Sequence, residues 1–190
     1  MVPISLFTKA ESQLYHWLKR YKADWATEHT RAVSRTKLAG LFAYFMSKHE
    51  RCIESASGTT WDMVTIVPSS AERQGPHPLV ETLGMIRGLE GSLHMLLERG
   101  PGPLGFNQAS DDGYVTTTDV SGMHVLLVDD TYTTGARAQS AASALTLAGA
   151  TVAAIVSIGR LINPDFGDNS PYWNRQAGIP FSFDTCCLEP

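Results

Sequence analysis

Val125-Leu126-Leu127-Val128-Asp129-Asp130-Thr131-Tyr132-Thr133-Thr134-Gly135 is the stretch whose reading decides the fold. Four apolar residues make a short buried strand. Two adjacent carboxylates follow at its carboxyl end, then a hydroxyl-rich turn closing on glycine, then the alanine-rich run Ala136 to Ala148. In an open parallel sheet, ligands bind where strands end and loops lead into helix N-termini. Such a helix start, with unbonded backbone N–H groups, is an anion site. The carboxylates cannot serve an anion, so hydroxyl groups or a metal are their targets. A ligand with a phosphate at one end and a diol close by is a sugar phosphate. Solvated acids at a strand end would leave the hydroxyl pair, the glycine and the helix at this spacing unexplained.

The stretch resembles the phosphoribosyl pyrophosphate (PRPP) motif of type I phosphoribosyltransferases: four apolar residues, two acidic, two mostly apolar, two Ser/Thr, then Gly. Thr131 is the one polar residue in the two variable places, and the spelling Val128 to Ala136 is most similar to the competence-associated, ComF-like branch. The resemblance implies an α/β fold, a type I phosphoribosyltransferase-like parallel sheet flanked by helices, with a small hood from N- and C-terminal segments. It implies that Asp129 and Asp130 take the ribose hydroxyls, with Mg²⁺ bound through those hydroxyls or water. Thr131, Tyr132, Thr133, Thr134 and Gly135 would wrap the 5′-phosphate. Arg137 stands where ComF-like chains carry a phosphate-holding Thr; it can pair with that phosphate or point away.

Three further elements have candidates. Pro68, Ser69, Ser70 and Arg73 follow a strand and precede a helix, as a pyrophosphate loop does, and a guanidinium binds phosphates bidentately. The alternative is an ordinary strand-to-helix turn with an exposed Arg73. Glu98 to Gly113 is a long Gly- and Pro-containing segment, suited to a loop that closes over the reacting bond. Arg99 at its base is the only cation there, as a catalytic group or a plain surface charge. Gly105-Phe106-Asn107-Gln108 resembles a ComF-like element that lies earlier in those chains, and no role is carried over. Trp17, Trp25, Trp173 and Phe181 are available to stack on an acceptor ring, though aromatic residues at helical spacing are more often core. Thr133 replaces the carboxylate that 6-oxopurine enzymes place there, which disfavours hypoxanthine or guanine salvage. His77 adjoins the pyrophosphate loop, with a structural role the stronger reading.

Along the 190 residues, one domain is expected: a helical N-terminal or hood part over 1–50, an α/β core over 60–162 and a C-terminal hood part over 163–190. Residues 5–50 carry helical periodicity. Strands are expected over Trp61–Val67, Leu93–Leu97, Tyr114–Val120, His124–Val128 and Thr151–Ile158, and helices over Pro78–Leu89 and Ala136–Ala148. Acidic residues outnumber Lys and Arg by 19 to 15, for a formal charge of −4, so no nucleic-acid partner is expected. No apolar run reaches membrane-spanning length and no signal peptide is evident, so a cytoplasmic protein is expected. Cys52, Cys186 and Cys187 show no CxxC or Cys/His metal spacing, so no zinc module is expected, and the vicinal pair Cys186-Cys187 reads as hood packing. The expected function is Mg²⁺-dependent phosphoribosyl transfer from PRPP to a nitrogen acceptor, nucleobase-like or another small molecule, with pyrophosphate released. A homodimer is compatible with this. The alternative is a non-catalytic PRPP- or nucleotide-binding regulator, including a ComF-like accessory protein.

Overall fold

A computed structural model describes residues 1–9, 12–69 and 75–188. Four strands form a parallel sheet in the order β1 (Val2–Phe7), β6 (Thr151–Leu161), β5 (His124–Tyr132), β2 (Met63–Ile66). A two-stranded antiparallel ribbon, β3 (Leu97–Arg99) with β4 (Tyr114–Thr116), lies beside it. The helices are α1 (Gln13–Arg20), α2 (Glu28–Ser57), α3 (Pro78–Leu83), α4 (Ala136–Leu147) and α5 (Asn169–Gln176).

Both faces of the sheet are covered, and β5 shows how. Leu126 and Val128 belong to one apolar cluster, with Leu18, Leu38, Phe42, Phe45 and Ile53 from α1 and α2. Val125 and Leu127 belong to another, with Ala138, Ala141, Ala144 and Leu145 from α4. Alternate residues of a strand face opposite ways, so an unbroken apolar run is what a doubly covered strand requires. The small side chains of α4 let that helix lie close against the sheet. In α2, Leu38, Phe42, Phe45, His49 and Ile53 recur every three or four residues as one buried stripe. Thr27 caps its start by accepting from the Thr30 N–H, and Gly58 ends it at φ +70°.

Residues 5–7 are strand rather than helix. Val2, Ile4 and Phe7 are buried, and the strand pairs with β6, so the N-terminal part contributes an edge strand to the core sheet. Pro3 is tolerated because an edge strand has one unpaired side. Gly159 of β6 allows the join, since a Cβ there would collide with the Phe7 ring. Strand β5 continues past Val128 to Tyr132, because Asp129, Thr131 and Tyr132 still pair with Ser157, Gly159 and Arg160. The helix starting at Pro78 stops at Leu83, with a separate 3₁₀ turn over Arg87–Leu89. Leu93 makes only an isolated bridge to Val64, and the next strand begins at Leu97. Among the described residues, no helix is long and apolar enough to cross a membrane.

Candidate functional site

Strand alternation splits the acidic pair. Asp130 continues the face of Leu126 and Val128, toward α1. There Oδ2 accepts from the Tyr21 hydroxyl and from Lys22 Nζ at 2.5 Å. Burial raises the Asp130 carboxyl, but the Lys22 charge and hydrogen bond, with the Tyr21 bond, outweigh it and leave it below the usual range. Asp129 continues the face of Val125 and Leu127. Burial and then the adjacent Asp130 charge push its carboxyl up to about 7, against partial relief from the Thr131 N–H, Lys22 and Arg137. Two neighbouring carboxylates thus lie in opposite electrostatic states, one compensated and one not.

Both open on a cleft of about 610 Å³ at the carboxyl end of the sheet. Thr131, Thr133, Thr134, Gly135 and Arg137 also line it. Gly135 adopts φ +86° as the cap of α4, where an L side chain is strained and a Cβ would strike the Tyr132 hydroxyl. The cap supplies no side-chain hydrogen bond. The first turn of α4 therefore presents backbone N–H groups and the positive end of its dipole to the cleft. Arg137, exposed in that first turn, adds a full positive charge.

Not every expected residue joins this site. Tyr132 is absent from the cleft lining; its ring packs over Gly135 and the α4-side core, so its side chain supports the Thr131–Gly135 turn rather than lining the cleft. Pro68 and Ser69 also lie outside the lining, and the Pro68 carbonyl accepts from the buried Tyr114 hydroxyl at 3.0 Å. Ser70 and Arg73 lie outside the described residues. His77 caps α3 by accepting from the Leu79 N–H at 3.2 Å, and its charge lowers the Asp130 carboxyl. His77 thus lies near enough to the acidic pair for its charge to act on Asp130. Arg99 is turned into its own loop: it donates to the carbonyls of Gly100, Gly102 and Gly113 and does not line the cleft. It is a brace for the loop base. Of the proposed stacking residues, Trp17 packs against the α1–α2 core and Trp25 is 73% exposed. Trp173 and Phe181 line a different cavity beside β1.

What the sequence reading missed comes largely from the N-terminal segment. Lys9, Lys19 and Lys22 line the cleft, as do Phe7, Tyr15 and Leu18. Tyr15, Lys19 and Lys22 recur at helical spacing on a face adjacent to the buried Leu14 and Leu18, a signal visible once α1 is known to cross the sheet end. From the long loop, Leu104, Gly105 and Phe106 reach the cleft, and Phe106 meets Phe166 edge-on at 5.7 Å between ring centres.

The cleft is lined by cations, helix N–H groups, a pair of carboxylates, and apolar and aromatic side chains. The carboxylate oxygens are hard donors suited to Mg²⁺ or to a diol, and the uncompensated Asp129 is the group that such a partner would satisfy. Compared with protein-family models and with curated proteins, the chain matches none.

Proposed function

We propose that this chain is a PRPP-dependent phosphoribosyltransferase, carrying the type I motif on its α/β sheet. The observation that carries the reading is the joint opening of Asp129, Asp130 and the α4 N-terminus onto one cleft. The donor set suits a ribose 5-phosphate: carboxylates for the 2′- and 3′-hydroxyls, and the turn Thr131–Gly135 with Arg137 for the phosphate. A nitrogen nucleophile attacks C1 of the ribose, the C1–O bond to pyrophosphate breaks, and the configuration inverts. Lys9, Lys19 and Lys22 line the same cleft and are the cations available to receive the leaving pyrophosphate, whereas Arg99 does not line it. Asp129 and Asp130 would hold Mg²⁺ through ribose hydroxyls or water, and the ion supplies charge neutralisation on the leaving group. Tyr15 and Phe106 form the apolar wall for a planar acceptor. Positioning and electrostatics account for most of the rate.

A second reading, a non-catalytic binder of PRPP or a nucleotide, draws on the Tyr21–Asp130–Lys22 contact. A ribose must displace or share that contact, which favours binding without turnover. The deciding measurement is pyrophosphate release from PRPP and Mg²⁺ over a panel of bases and amines. Release that depends on one acceptor and disappears in the Asp129→Asn, Asp130→Asn double variant supports the enzyme. Tight PRPP binding with no turnover on any acceptor favours the binder. Absence of PRPP binding overturns both.

A further inference from the structure

Away from the cleft, His49, Cys52 and Cys186 each bring a ligand atom to within 4.8 Å of the other two. His49 and Cys52 stand three residues apart on one face of α2, and Cys186 arrives from the C-terminal segment. His49 is buried, and both cysteines are half-buried. The His49 ring is already oriented: Nε2 lies 2.8 Å from the Phe183 carbonyl oxygen, which can only accept, so Nε2 carries the proton. Nδ1 therefore holds the lone pair, and it faces Cys52 Sγ at 3.8 Å. A histidine whose other nitrogen donates to a backbone carbonyl is the usual arrangement around a protein-bound metal.

The distances fit a tetrahedral ion. Zn–N and Zn–S bonds of about 2.0 and 2.3 Å at tetrahedral angles set N···S and S···S separations of about 3.5 and 3.8 Å. The His49–Cys52 pair already stands at that spacing, and Cys186 has about 1 Å to close. One imidazole and two thiolates are soft ligands, which select Zn²⁺ over Mg²⁺ or Ca²⁺. Water completes the fourth position, since Cys187 is not among the clustered ligand atoms.

We propose that His49, Cys52 and Cys186 form a Zn²⁺ site that fastens the C-terminal segment to α2. Between Ile179 and Leu188, Phe183 and Cys186 pack against the core, and Phe183 and Asp184 also meet Tyr44 and Lys48 of α2, so an ion would reinforce an existing contact. An ion joining Cys52 to Cys186 closes a long loop, where a cross-link restricts the unfolded chain most. Binding exchanges the two thiol protons for the metal, so atoms and charge balance without an oxidant. The site is independent of the phosphoribosyltransferase reading.

The test uses the full-length, tag-free chain, purified under reducing conditions and loaded with Zn²⁺ or Co²⁺ alone. One equivalent of Zn²⁺ should survive gel filtration. The Co²⁺ form should show visible bands of tetrahedral intensity and near-ultraviolet thiolate charge transfer. Cys186→Ser, a near-isosteric change at a half-buried position, should roughly halve the charge-transfer intensity and weaken metal retention at least tenfold, with far-ultraviolet circular dichroism unchanged. Proteolysis should release residues C-terminal to Ile179 faster after chelation. Substoichiometric metal with no thiolate charge transfer overturns the proposal. So does a Co²⁺ spectrum unchanged in Cys186→Ser, or a Cys52–Cys186 disulfide in place of metal.

Discussion

Lys22 Nζ lies 2.5 Å from Asp130 Oδ2, although the two residues are 108 positions apart in the chain. The contact ties the N-terminal helical segment to the motif strand and divides the acidic pair into a compensated and an uncompensated member. Tyr21, fully buried beside it, directs its hydroxyl at the same oxygen.

Removing that hydroxyl should be felt in stability and in titration. Tyr21→Phe keeps the ring in the core and deletes one hydrogen bond to a charged group, which costs about 1.5–3 kcal/mol. Urea denaturation should show a loss of that order, and the Asp130 carboxyl should titrate higher in carbon-detected NMR. Unchanged titration would show that Tyr21 does not hold Asp130.

The acidic pair makes opposing contributions to stability against pH. Folded Asp129 keeps its proton up to about pH 7, whereas the free side chain releases it near 3.8. Its contribution is fully present below the unfolded value and is lost as pH rises through about 7. Asp130, held lower than usual, contributes above its unfolded value, and that contribution is lost as pH falls through its folded one. At pH 8, Asp129→Asn should therefore be more stable than wild type by on the order of 1 kcal/mol, the difference shrinking toward pH 5. Equal stabilities at pH 8 would mean that Asp129 carries no uncompensated charge.

Gly135→Ala should damage the phosphate turn. The residue sits at φ +86°, and the new methyl group meets the Tyr132 hydroxyl. Backbone strain alone costs about 1–2 kcal/mol. PRPP affinity, read by calorimetry, should fall more than tenfold while far-ultraviolet circular dichroism stays native. An alanine variant that binds PRPP normally would remove the turn from the site.

Phe106→Ala separates donor from acceptor. Phe106 is 70% exposed and stands on the aromatic wall, so its loss should barely affect folding or PRPP affinity. The KM for a planar acceptor should rise about tenfold, the scale of one aromatic contact. A matching loss of PRPP affinity would place Phe106 on the donor side instead.

The motif strand, the turn and α4 were readable because their signals are local: apolar run, acid pair, glycine and small-residue helix lie in consecutive positions. Strand β1 was not. Val2–Phe7 is short, and what makes it a strand is pairing with β6, far along the chain. The cationic wall was missed for a related reason. The long loop holds one cation, Arg99, whereas Lys19 reaches the cleft from α1 and Lys22 from the turn that follows it. The cysteines repeat the lesson, since no local spacing joins Cys52 to Cys186.

By itself the sequence determined a buried parallel strand, the adjacent carboxylates, the left-handed glycine and the helix behind it. Each follows from chain periodicity, backbone sterics and charge within a few residues. Only the tertiary structure decided which carboxylate is compensated, which cations face the cleft, where Arg99 directs its donors and where the Tyr132 ring packs. Those outcomes depend on burial and on contacts within a few ångströms, between residues that the chain keeps far apart.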